Sequence, residues 1–329
     1  MEARTPQLPR LPDLRGFTVV SCDPNGPSGA SRILELNNSL YVEKVLIYPE
    51  REHARSWIQA FAELPTPGTP KLVGVESRRD ALTLLRDYVP GESLENFFGN
   101  GGAILPEDAA ILFLRLAQVL RDIGATGLFH GRLKPSNIIL RDDGVPFITE
   151  THIPFIRFHD LSVTRRGFLV ESPQYLSPEQ FNKSSTIDIR SDIFSLGSIF
   201  YRVAAGTHPF PGDTVAEIRD RICNCDPPEP RRVCPAVPQS LSNIIMKMLA
   251  KRPEARYQDA DDLIQDLRNS RERSLDRPAR AAPLPPPRSG RRLKASARTV
   301  AAGLAGLIIV ALAALLALPP RPQIGAPES

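Results

Sequence analysis

The sequence predicts a mixed α+β globular region followed by a basic linker and one apolar membrane span. Three observations lead there. Apolar runs alternate with turn signals at globular density from Phe17 to about Ser270. Five short motifs stand in a fixed order between residues 130 and 257, and the α+β assignment rests on them. Finally, Thr299 to Leu318 carries no charge at all. A content of 42 % hydrophobic and 24 % charged residues in 329 suits a folded chain and argues against wholesale disorder.

Residues 1–16 hold Pro6, Pro9 and Pro12 among charges, which predicts an extended leader without the apolar run of a secretory signal. Residues 17–270 form the expected domain. Residues 271–298 contain nine Lys/Arg against Glu272 and Asp276, a local charge of +7. The net charge of the whole chain is +4, so the remainder is −3. The basic balance is therefore a property of one tether, with Pro283 and Pro285-Pro286-Pro287 stiffening it, and it does not imply nucleic-acid binding. Residues 299–318 match the ~20 apolar residues that one helical bilayer crossing needs, and 319–329 form a short tail. The basic flank precedes the span and only Arg321 follows it, which places the large N-terminal region on the cytoplasmic side. Cys22, Cys223, Cys225 and Cys234 are few and unevenly spaced; with His208 they make a poor zinc set, and free thiols are the reading preferred.

The chemistry-bearing stretch is His130-Gly131-Arg132-Leu133-Lys134-Pro135-Ser136-Asn137-Ile138-Ile139-Leu140. Four further motifs follow: Ser172-Pro173-Gln174-Tyr175-Leu176-Ser177-Pro178-Glu179, then Ser191-Asp192-Ile193-Phe194-Ser195-Leu196-Gly197, Thr207-His208-Pro209-Phe210 and Arg252-Pro253-Glu254-Ala255-Arg256-Tyr257. In this order they resemble the protein kinase family, over about Phe17 to Arg268, and in particular the bacterial membrane-anchored serine/threonine kinases. The resemblance implies a two-lobed fold, with a small, mainly β N-lobe and a larger helical C-lobe, joined here to one C-terminal transmembrane helix. It also implies structural roles: His130 and Asp192 in holding the catalytic loop, and Glu179 with Arg256 as a buried ion pair.

The same resemblance exposes departures. Arg132 stands where the family has the aspartate that accepts the proton of the attacking hydroxyl. A guanidinium carries five donors, no acceptor and a permanent charge, so it cannot take that proton. Lys134 and Asn137 are retained, as phosphate contact and second metal ligand. Lys44 matches the lysine that binds phosphate oxygens, with Glu63 as its expected helical partner. The glycine loop is reduced to Gly26 and Gly29 within Pro24-Asn25-Gly26-Pro27-Ser28-Gly29, where proline removes donors. The hinge falls at Leu85 to Gly91, with Tyr88 and Val89 beside the expected adenine and Arg86 as gatekeeper. Glu150-Thr151-His152 replaces the metal-binding D-F-G, and the longer Glu150 side chain is expected to pair with Arg132 and close the site.

The resemblance implies ATP and Mg²⁺ as cofactors; Arg132, Arg86 and Glu150 argue against both. The expectation is a pseudokinase that acts as a scaffold or regulator by binding protein partners, an active kinase among them. Its span and basic linker would contact membrane lipid. The alternatives are an active or weak serine/threonine kinase using Lys44, Lys134, Asn137 and Glu150, and a nucleotide-transfer enzyme on the same fold.

Overall fold

Five strands build the first sheet: β1 (Thr18–Asp23), β2 (Ser31–Leu36), β3 (Ser39–Ile47), β4 (Leu72–Ser77) and β5 (Ala81–Asp87). Their order is β1-β2-β3-β5-β4, antiparallel throughout. The computed structural model describes residues 9–23, 31–47, 68–77, 81–104, 106–149, 172–182 and 186–275. Asn37 and Asn38 turn β2 into β3 at φ 51° and 61°. A two-residue hairpin turn of this hand needs positive φ at both positions, which asparagine tolerates better than most side chains. Pairing Arg32 with Glu43 and Leu34 with Tyr41 puts these four on one face of the sheet. Val42 and Lys44 face the other side with Arg86 and Leu84.

Part of the expected leader is paired with this sheet. The Val75 N–H donates to the Pro9 carbonyl (3.0 Å) and the Leu11 N–H to the Val75 carbonyl (3.2 Å), forming a parallel bridge at Arg10. Gly74 makes room for it, since a Cβ there would lie 2.8 Å from Leu11 Cα. The chain then reaches β1, where Phe17 meets Tyr41 edge-on at 5.6 Å.

The second lobe is helical. A small sheet of β6 (Glu92–Ser93), β7 (Ile138–Leu140) and β8 (Pro146–Ile148) lies against α1 (Leu94–Gly99) and α2 (Pro106–Ala125). Then come α3 (Ile189–Ala205), α4 (Val215–Asn224), α5 (Pro230–Val233), α6 (Gln239–Met248) and α7 (Ala260–Leu275). Helix α3 is the axis of the lobe: every residue from Ser191 to Tyr201 is buried. Asp188 caps its start by accepting from the Arg190 N–H (2.9 Å), and Gly206 ends it at φ 74°. Phe200 stacks on Phe113 of α2 with centroids 3.7 Å apart, and Phe194 stacks on Phe210 at 6.0 Å. Each such ring contributes about 1.5–3 kcal/mol by leaving water. The β-rich and helical lobes together are the two-lobed kinase fold that the motifs imply.

The expected linker begins later than residue 271, because α7 continues to Leu275. Arg271, Glu272 and Arg273 are good helix formers and extend it. No helix among the described residues is long and apolar enough to cross a membrane; residues 276–329, with the expected span, lie outside them.

Gly197 lets α3 and α6 approach closely. A Cβ at that position would lie 2.7 Å from Met248 Cβ on α6. We expect Gly197→Ala to cost about 1–3 kcal/mol through overpacking, read as a lower urea midpoint with an unchanged slope.

Candidate functional site

The site is built around one buried carboxylate. Asp192, in the first turn of α3 and 0 % exposed, accepts from the Gly131 N–H at 2.6 Å and from the His130 N–H. Both of its oxygens thus hold the main chain of the loop that follows α2. Complete burial pushes the Asp192 carboxyl up to about 7, against the downward pull of those two amides.

His130 is also fully buried. Its Nδ1 accepts from the Arg132 N–H (3.2 Å), which fixes the proton on Nε2, where it is donated to the Thr149 carbonyl (3.1 Å). Gly131 sits at φ 72°, a left-handed conformation that a side chain would strain. The Gln180 side-chain amide donates to the Gly131 carbonyl (2.7 Å). On the far side, the Asn137 amide donates to the Arg132 carbonyl (3.1 Å), and the Asn137 carbonyl accepts from the Thr149 N–H (2.8 Å) and hydroxyl (3.2 Å). The loop is pinned at every turn by groups that take no part in proton transfer.

Glu179 and Arg256 form a two-pronged ion pair, Nη1 to Oε1 at 2.7 Å and Nη2 to Oε2 at 2.8 Å, with side chains 6 % and 0 % exposed. The Ser191 hydroxyl donates to Glu179 (2.6 Å), and Arg256 also donates to the carbonyls of Ala250, Arg190 and Lys251. Burial raises the Glu179 carboxyl, but the hydrogen bonds and charge of Arg256, helped by Ser191, bring it below its ordinary value. Ser191 precedes Asp192, so the ion pair and the loop anchor are fastened to the same turn of α3.

The remaining predicted positions separate clearly. Lys44 is buried on β3, on the face that carries Leu84 and Arg86, so it is not an exposed strand lysine. Lys134 and Asn137 are buried, Arg132 is partly buried, and Tyr88 and Val89 follow β5, with the Tyr88 N–H donating to the Leu40 carbonyl (3.1 Å). Gly26, Gly29, Glu63 and Glu150 lie outside the described residues, and with them the expected Arg132–Glu150 pair. The cysteines are free thiols, and no group of three His, Cys, Asp or Glu among the described residues suits a metal.

Of the residues expected around Mg·ATP, those described include the cations Lys44, Arg86, Arg132 and Lys134, which suit the charge of a polyphosphate. Among the residues expected at the metal, Asn137 offers Mg²⁺ a side-chain oxygen, and Glu150, the carboxylate expected beside it, lies outside the described residues. Sequence reasoning missed Gln180, Thr149 and Ser191. Only Gln180 carried a signal: Ser177-Pro178-Glu179-Gln180 has the spacing of a capping box, and the Gln180 side chain accepts from the Ser177 N–H (2.9 Å).

Comparison with known proteins agrees with this geometry. The protein kinase domain family matches residues 35–267. The chain is 29 % identical over 208 residues to a "Probable serine/threonine-protein kinase" of Clostridium perfringens, covering 63 % of this chain and 30 % of that protein. It is 31 % identical over 206 residues to serine/threonine-protein kinase PknB of Mycolicibacterium smegmatis, covering 60 % and 33 %. It is also 26 % identical over 212 residues to serine/threonine-protein kinase PrkC of Bacillus subtilis, covering 64 % and 32 %. The chain thus spans about a third of the length of the curated relatives it matches.

Removing one partner of the buried ion pair leaves an uncompensated charge, so Glu179→Gln should cost about 3–5 kcal/mol at pH 7. The folded-state pKa of Glu179 is depressed, so its contribution is complete above the unfolded carboxyl value and is lost as pH falls through the folded one. The stability gap between wild type and variant, measured by urea titration, should therefore shrink as pH drops below about 4.

Proposed function

The chain belongs to the protein kinase family, and from that premise we propose that it is a catalytically impaired member. In this reading it is a pseudokinase, held at the cytoplasmic face of a membrane by a C-terminal span, that works by binding protein partners such as an active kinase. The observation that carries the reading is Arg132. The loop around it is held by Asp192, Gln180, Asn137 and Thr149, so the residue occupies the place of a proton acceptor in a well-formed loop. It presents a cation with no lone pair to give. Loss of a general base alone removes about 10²–10⁴ of rate. A fixed positive charge there also repels the metal ions that phosphoryl transfer needs. The basic linker 271–298 supports a membrane position, since each lysine or arginine near an anionic surface contributes about 1 kcal/mol.

A weak kinase is the second reading, favoured by the retention and burial of Lys44, Lys134 and Asn137. A nucleotide-transfer enzyme on the same fold is a third. Transfer of labelled γ-phosphate to a generic protein substrate separates the first two. We expect wild-type transfer no greater than that of Lys44→Ala. Robust transfer by the wild type, abolished in Lys44→Ala, would overturn the impaired reading in favour of the weak kinase.

A further inference from the structure

We propose that Cys225 and Lys251 form an acyl-transfer pair, in which the cysteine thiol takes an acyl group from a small thioester and passes it to the lysine amine. The pair lies in the helical lobe where α4 ends. The inference is independent of whether the chain transfers phosphate.

Lys251 follows α6 and is half-buried. Its Nζ donates to the carbonyls of Ile222 (2.7 Å) and Arg221 (3.3 Å) in the last turn of α4. The same nitrogen sits 4.1 Å from the centroid of the Phe210 ring. The amine is thus held in one place at a helix end. Burial brings its pKa down to about 8, the charge of Arg256 works in the same direction, and Asp226, Cys223 and Cys225 offset this only in part. Such an amine is neutral in roughly a tenth of molecules at pH 7, against fewer than about one in a thousand for an ordinary lysine. A neutral amine is a nucleophile; an ammonium is not.

The cysteine is placed by the same carbonyl. Arg221 O also accepts from the Cys225 N–H (3.0 Å), so two donors on one oxygen keep the amine within about 6 Å of the Cys225 backbone nitrogen. Cys225 is exposed, and a single torsion, χ1, carries its sulfur. Cys223 follows Ile222, the other acceptor, but it is half-buried, and burial pushes its thiol up and away from the reactive thiolate. Cys225 is therefore the member that meets a donor from solution. Its thiolate adds to the carbonyl carbon of the incoming thioester, and the carrier leaves as a thiol with the proton that Cys225 gave up. The neutral Lys251 amine then attacks the Cys225 thioester; the carbon–sulfur bond breaks, an amide forms, and the amine proton passes to the cysteine sulfur. No oxidant or metal enters the balance. An acyl lysine carries no charge and one N–H, so it holds one of the two α4 carbonyls and loses its attraction to Phe210. Helix α4 packs on the 3-10 turns Pro173–Tyr175 and Pro178–Phe181, so the modification acts beside the segment that carries Glu179.

The test incubates the full chain with the acetyl thioester of N-acetylcysteamine and follows acetylation of each lysine by peptide mass spectrometry. Lys71 and Lys247, both exposed, are the reference amines. Lys251 should be acetylated about tenfold or more faster than either, because its second step is intramolecular. Cys225→Ser should bring Lys251 to within about threefold of the references. Cys223→Ser should change the Lys251 rate by less than about twofold. Arginine takes no acyl group under these conditions, so in Lys251→Arg the acetyl group should stay on Cys225. Neutral hydroxylamine, which cleaves thioesters and spares amides, should then remove it. If melting shows that Cys225→Ser does not fold, Lys251→Arg decides alone. A Lys251 rate no greater than that of the references would overturn the inference. So would a fast rate that survives Cys225→Ser or is lost in Cys223→Ser, or a Cys225 without hydroxylamine-labile acetyl in Lys251→Arg.

Discussion

One carboxylate inside the helical lobe sets the shape of the whole site. Asp192 has no contact with water and holds two consecutive main-chain amides, at His130 and Gly131, far away in the sequence. Burying an acid is unfavourable unless its oxygens are satisfied, and here backbone donors satisfy both. The helix that presents it is enclosed on all sides from Ser191 to Tyr201, so the anchor cannot drift. Its neighbour Ser191 reaches Glu179, whose pairing with Arg256 ties the segment after residue 172 and the end of the 3-10 turn Pro253–Ala255 to the same helical turn. Shape is thus secured by a closed set of polar contacts in the core.

That closed set explains how the chemistry can be lost without loss of the loop. Two of the bonds that hold residues 130–137 in place use the main chain of Arg132, its N–H to His130 and its carbonyl from Asn137. Any residue but proline at that position can make these two main-chain bonds. Gly131 even relieves the backbone, since a positive φ is cheapest for glycine. A scaffold of this kind can persist with a guanidinium at position 132, and in the proposed reading its surface does the work.

Much of this was legible in the chain. Helix α3 could be found from its motif and carries its own stop signal in Gly206, and the resemblance to the kinase family implied the pairing of Glu179 with Arg256. Lys44 could be placed on its strand but not at its depth, because burial depends on what covers a face. The contacts of Gln180 and Thr149 were hidden because their partners are main-chain atoms, which every residue has and no motif advertises. The leader was opaque for a related reason. Pro9 and Pro12 break strand periodicity, yet the pairing uses the Pro9 carbonyl and the Leu11 amide, which proline chemistry leaves available.

The claim on which the rest stands is that a sound loop geometry coexists here with absent group-transfer chemistry. Intact-mass spectrometry of the full chain after long incubation with Mg·ATP addresses it most directly, because it detects phosphoryl and adenylyl addition alike. An unchanged mass is the outcome expected of a guanidinium at position 132. Gain of a phosphoryl or an adenylyl group, dependent on Mg²⁺ and absent from Lys44→Ala, would contradict it.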